Sequence, residues 1–172
     1  MGLYIKTHPK LENLDVSYSI KAHKPDQQPD GLKFLFERLY EIRFQIRKLN
    51  VSGNMGMNAP GTMEAMKKYL SSNNLYLKEF KMSNMKFDKD GALKMTEYLL
   101  NDLFAVDWNL NNSLTELHWD GDLAIDKQLA NKFMKEQIPA VYNIKIKVFS
   151  MQDVFDKNER GPIEEACARV GV

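Results

Sequence analysis

One short apolar phrase returns four times in this chain in the same grammar, and it limits the possible folds more than any other feature. Its plainest copy is Leu77-x-x-Phe80-x-Met82-Ser83, followed by a polar turn, Gly91 and apolar residues at Ala92, Met95, Tyr98 and Leu99. Alternation at 80 and 82 aims two side chains to one side of a strand, and the 92, 95, 99 spacing lays an apolar stripe along a helix. Neither element can bury that side alone, so a second copy must stack on it. Two copies lie upstream: Leu11-x-x-Leu14-x-Val16-Ser17 before Gly31 and LKFLFERLYEI, and Ile46-x-x-Leu49-x-Val51-Ser52 before Gly61 and TMEAMKKYL. Downstream, Leu114-x-x-Leu117-x-Trp119-Asp120 precedes DKQLANKFMKEQ at 126–137. A worn fifth strand is read at Ile144-x-Ile146-x-Val148. From Leu14 through Leu49, Phe80 and Leu117 to Ile144, the spacings are 35, 31, 37 and 27 residues.

A strand-plus-helix unit with this phasing and a period near 30 matches the leucine-rich repeat signature. The long units with a Gly-led helix resemble the ribonuclease-inhibitor-like subclass. The expected fold is α/β: a leucine-rich repeat solenoid, with a curved parallel sheet on the concave side and helices on the convex side. Four to five units should occupy residues 1–149. Ser150 is read as the N-cap of a short helix, and Pro162 as the first residue of another, so 150–172 should form a helical C-terminal cap. Nothing before Leu11 offers a polar cap. The N-terminal edge therefore reads as cut from a longer horseshoe, the alternative being that residues 1–10 supply a cap or a dimer contact.

With 24 Lys plus Arg against 23 Asp plus Glu, no global field recruits nucleic acid or an anionic membrane. No apolar run approaches the roughly 20 residues that a bilayer needs. The single Cys167 cannot form an internal disulfide and suits a reducing compartment. The expected location is cytoplasmic.

Sites of chemistry are scarce. Lys86–Glu97 imitates a calcium loop, with Asp88, Asp90, Gly91 and Glu97 at the third, fifth, sixth and twelfth places, but Lys86 stands where the first carboxylate belongs. A repeat turn in which Asp88 or Asp90 caps the following helix is the better reading. His8, His23 and His118 are far apart with no ligand-spaced carboxylate or thiol, so neither metal nor cofactor is expected, and no catalytic motif stands out. Cys167 reads as a packed thiol, Trp119 as core, and Met63, Met66, Met82, Met95 and Met134 as core filler.

The strands' outward residues make the candidate surface: Asn13 and Asp15, Lys48 and Asn50, Glu79 and Lys81, Glu116 and His118, then Lys145 and Lys147. Side by side at about 4.8 Å per strand, they form a mixed-charge panel. Asp15, Asn50, Lys81, His118 and Lys145 are the protein-binding candidates. A second candidate patch is Phe104 and Trp108, in an apolar insertion (101–113) after the third helix, which is expected to run on to about Asp107.

The segment NNSLTELHWDGDLAIDKQLANKFMKEQIPAVYNIKIKVFSMQDVF (111–155) resembles the end of the leucine-rich horseshoe in the CARMIL family, membrane-associated regulators of actin capping protein. The strand ending in Trp119-Asp120, the next helix, the degenerate strand and the helix entered at Ser150 carry the likeness. It extends more loosely upstream. The resemblance implies a non-catalytic protein-interaction scaffold in actin regulation, with actin-cytoskeleton regulators as partners and homodimerisation left to a helical segment of a longer protein. The family's capping-protein-binding sequence lies in a tail that has no counterpart among these residues. Two other classes remain open: a GTPase activator of the Ran-activator type, and a substrate adaptor of a ubiquitin ligase.

Overall fold

The computed structural model describes residues 11–22, 29–42, 45–71, 76–98, 113–121 and 148–150. Five strands form one parallel sheet in chain order: β1 (Asn13–Asp15), β2 (Lys48–Asn50), β3 (Glu79–Lys81), β4 (Glu116–His118) and β5 (Val148–Ser150). Three helices connect the first four of them: α1 (Gly31–Ile42), α2 (Thr62–Ser71) and α3 (Lys89–Tyr98). This is a mixed α/β fold with neighbouring strands always parallel.

Parallel neighbours need a long crossover, and each of the three described crossovers contains a helix whose apolar face closes on the sheet. Leu32, Leu35, Phe36 and Leu39 of α1, Met63, Met66, Tyr69 and Leu70 of α2, and Ala92, Met95 and Tyr98 of α3 are buried. Gly31, Gly61 and Gly91 stand 30 residues apart, and α1 and α2 pack together. Phe36 makes an edge-on contact with Phe80 of β3, their centroids 6.4 Å apart, and meets Tyr69 of α2 at 6.1 Å. On the outer side, Lys68 lies over the Tyr40 ring of α1 and Lys67 over the Tyr98 ring of α3. The middle helix is thereby joined to both neighbours.

The central residue of each of the first four strands faces the helices. Leu14, Leu49, Phe80, Leu117 and Phe149 stand in one row across the sheet. Of these, Leu49, Phe80 and Leu117 are buried, while Leu14, on the edge strand, is partly covered. Ile46, Leu77 and Leu114 before the strands and Val51, Met82 and Trp119 after them complete the core, with Trp119 edge-on to Phe87. Met63, Met66, Met82 and Met95 are core filler, as the sequence indicates.

Turns after the strands share one construction. The residue four places past each central position has a left-handed backbone: Tyr18 (φ 54°), Gly53 (69°), Asn84 (55°) and Gly121 (73°). Large and small alternate. A Cβ on Gly53 would collide with the Tyr18 ring, and one on Gly121 with the Asn84 amide. One place earlier, Ser17, Ser52, Ser83 and Asp120 turn the chain. Ser52 Oγ accepts from the Ser83 N–H (3.1 Å), and Ser83 Oγ donates to Asp120 Oδ2 (3.1 Å). Asn54 is fully buried. Its Oδ1 accepts the Ile20 N–H (2.7 Å), and its Nδ2 donates to the carbonyls of Val16 (2.9 Å) and Val51 (2.7 Å).

Two readings need correction. The described fifth strand is Val148–Ser150 with Phe149 in the central row, so the phase expected from Ile144, Ile146 and Val148 is out by one and the spacing from Leu117 is 32 residues. Ser150, read as the N-cap of a short helix, is the last residue of that strand, and the helix it would cap lies outside the described residues. Helix α3 begins at Lys89, two residues before Gly91, because Asp88 is its N-cap: Oδ1 accepts the Gly91 N–H at 2.7 Å. Lys86–Glu97 is accordingly a capped turn. The helix expected at 126–137, the insertion around Phe104 and Trp108, the cap after Ser150, Lys145, Cys167, Met134, His8 and His23 lie outside the described residues.

Candidate functional site

The outward face of the sheet is built by strand alternation. If the central residue of each strand points to the helices, its two neighbours point the other way. One outward row is Asn13, Lys48, Glu79, Glu116 and Val148; the other is Asp15, Asn50, Lys81, His118 and Ser150. Asp15, Asn50, Lys81 and His118 therefore share a row, as their spacing predicts. Lys145 lies outside the described residues, and in the register Val148 and Ser150 pair with Glu116 and His118.

At the β1 end, Asp15 Oδ1 accepts from the Ser17 hydroxyl (2.6 Å) and N–H (2.8 Å), and its Oδ2 accepts from Asn50 Nδ2 (2.9 Å). The Ser17 bonds, with help from Asn50 and the Lys81 charge, hold this carboxyl below the ordinary carboxylate value. Asn50 Oδ1 in turn accepts the Ser52 N–H at 3.0 Å. Nearby, Arg47 reaches Glu12 at 3.5 Å.

The centre holds a carboxylate between two ammonium groups. Glu79 Oε2 is 2.7 Å from Lys48 Nζ, and its Oε1 is 2.6 Å from Lys81 Nζ. Though it stands in an outward row, Glu79 is only 8% exposed, whereas Lys48 and Lys81 stay open to solvent. The bond from Lys48, then that from Lys81, lowers the Glu79 pKa, and Glu79 raises that of Lys48. Sequence placed Glu79 in the panel but gave no sign of its burial. Its flanking by Lys81 two residues on and by Lys48 at the matching place of the previous strand signalled the ion pairs, though not the burial.

Toward β4, His118 Nε2 lies 3.8 Å from Glu116 Oε2 and is a buried nitrogen without a hydrogen-bond partner among the described residues. One ligand atom each from Glu79, Glu116 and His118 fall within 4.8 Å of one another. That set has the donors for a borderline divalent ion. Both Glu79 oxygens, however, already face ammonium groups that would repel it. A groove runs over β1–β3, lined by Asn13, Asp15, Lys48, Asn50, Glu79 and Lys81. The face can offer a partner fixed cations at its centre and amides beside a satisfied carboxylate at its edge. Among the described residues, no helix is long and apolar enough to cross a membrane.

This arrangement of strands and helices occurs in a solved structure, that of leiomodin-1 actin-binding site 2 (ABS2). The match covers 98% of this chain and 86% of that one, with a TM-score of 0.61 and 15% sequence identity. The two share a fold. No family model and no curated protein matches the sequence.

Proposed function

We propose that this chain is a non-catalytic protein-interaction module of a regulator of actin filament assembly, and that its outward sheet face is the working surface. The observation that carries the reading is the match to an actin-binding domain's fold over nearly the whole chain. The in-order parallel sheet with a helix in each described crossover supports a leucine-rich repeat solenoid with this face on its concave side. On that reading the repeat array runs through β5 at Ser150 and a helical cap follows it. The resemblance of 111–155 to the CARMIL horseshoe favours a cytoplasmic regulator near the cell cortex, with actin or its regulators as partners. The non-catalytic assignment is supported by Asp15, Asn50, Lys48, Glu79 and Lys81 being tied to one another rather than poised around a reacting position.

Cosedimentation with filamentous actin and an actin assembly assay test the proposal. The expected result is binding, or altered assembly, that weakens when Asp15 and Asn50 are both changed to Ala. No effect on filaments or monomers, with accelerated single-turnover GTP hydrolysis by a small GTPase, would overturn it in favour of a GTPase activator.

A further inference from the structure

We infer that Lys48, Glu79 and Lys81 form a preset clamp for an acidic segment of a protein partner. The inference deepens the interaction reading above and rests on it. Across β2, β3 and the residues leading into them stand Arg47, Lys48, Lys78 and Lys81, with Glu79 as the one carboxylate. Both Glu79 oxygens are taken by the two ammonium groups, at 2.7 and 2.6 Å, and its side chain is 11% exposed. It is a covered internal counter-ion, not a free acid.

Its effect is to fix two flexible cations. A lysine on a surface strand ordinarily loses side-chain entropy when it grips a ligand. Here that cost is met in folding, because one carboxylate holds both ammonium groups on the same face. Each ammonium has three donors and gives one to Glu79, leaving two for an incoming oxyanion. Lys48 and Lys81 remain 61% and 40% exposed, so those donors are accessible.

The groove beside them favours a carboxylate carried on a polypeptide. Toward β1 the lining is Asn13, Asn50 and Asp15, and the Asp15 carboxylate is already held by Ser17 and Asn50. A free anion would use the ammonium pair and leave this side empty. An extended acidic segment would seat an Asp or Glu on the two lysines and present its backbone to the two asparagine amides.

Fluorescence anisotropy tests this with the 172-residue chain and a dye-labelled peptide rich in Asp and Glu, its Asn/Gln counterpart serving as control. The acidic peptide should bind, more weakly as salt rises, and the control should not. K48Q/K81Q should weaken binding by about tenfold or more. Glu79→Gln is the deciding variant. It makes the site more positive, so a merely attractive surface would bind the peptide more tightly, whereas loss of the clamp weakens binding. Unchanged or tighter binding by E79Q overturns the proposal, as does unchanged binding by K48Q/K81Q. Full displacement of the peptide by an equal concentration of inorganic phosphate would also overturn it. If thermal melts show the double variant unfolded, K48Q/E79Q/K81Q replaces it, since that triple leaves no unpaired charge. Filament cosedimentation separates the two readings: a chain that sediments with actin but ignores the peptide defeats the clamp alone.

Discussion

Replacing Asn54 by Ala should be among the most damaging single changes outside the apolar core. Three contacts are lost. The Ile20 N–H loses its acceptor in a partly buried place, and the Val51 carbonyl loses a buried donor at 2.7 Å. The Val16 carbonyl fares better, because it still accepts the Ser19 N–H at 3.3 Å. At about 1–3 kcal/mol for each of the two buried groups left unpaired and less for the one still served, the sum spans about 2–6 kcal/mol or slightly more, with about 3–5 kcal/mol as its middle. For a chain of this size, 1 kcal/mol shifts the melting temperature by about 2–4 °C, so the drop should be about 6–20 °C. Thermal and urea unfolding followed by circular dichroism measure it. Asn54→Asp sharpens the test. It keeps the acceptor for Ile20, but its carboxylate faces two carbonyls, which favours the protonated form and raises its folded pKa. A group with a raised folded pKa contributes most below its unfolded value, about 3.9, and loses that contribution as pH rises. Measured against wild type at each pH, the Asn54→Asp penalty should be smaller near pH 4 than near pH 7. A loss below about 1 kcal/mol for Asn54→Ala, or an Asn54→Asp penalty indifferent to pH, would refute the reasoning.

Leu49→Ala should cost about 2–5 kcal/mol and Leu14→Ala clearly less, because the same side chain is enclosed on β2 and only partly covered on β1; equal losses in urea unfolding would contradict that. Asp88→Ala should remove about 0.5–2 kcal/mol through the lost cap of α3, and calcium titration of the wild-type chain should produce no heat. Asp15 and Glu79 have lowered folded pKa values, so the stability they add is present above their unfolded values and drains as pH falls below about 4. Acid unfolding of Glu79→Gln should therefore show a shallower pH dependence than wild type.

Four strands were legible because each carries two independent signals, an apolar residue three places before the central one and another two places after. The fifth misled because its alternation is real but out of phase. Ile144, Ile146 and Val148 alternate with lysines, yet the central row takes Phe149, five residues beyond Ile144. An odd shift exchanges the two faces of a strand. Hydrogen bonding to the previous strand set the phase: the Val148 N–H meets the Thr115 carbonyl as the Glu116 N–H meets that of Lys78 and the Glu79 N–H that of Arg47. No local pattern encodes that.

The outward rows followed from the strand phase, so Asp15, Asn50, Lys81 and His118 could be grouped in advance. The burial of Glu79 could not, because two lysine side chains folding over it depend on rotamers rather than spacing. The left-handed turns were half visible. Gly53, Asn84 and Gly121 are residues that favour such a backbone, whereas Tyr18 is a costly exception.

The alternation of large and small at those turns imposes a parity on the array. Tyr18 lies on Gly53 and Asn84 on Gly121, so a bulky turn residue is followed by one with no side chain. Excising one strand–turn–helix unit in frame would bring Tyr18 against Asn84, two side chains competing for one space. Excising two adjacent units would bring Tyr18 against Gly121 and restore the match. Shortening or lengthening this chain by recombination should therefore succeed more readily in steps of two units than in steps of one, and a designer grafting a unit between β1 and β2 would have to bring its neighbour too.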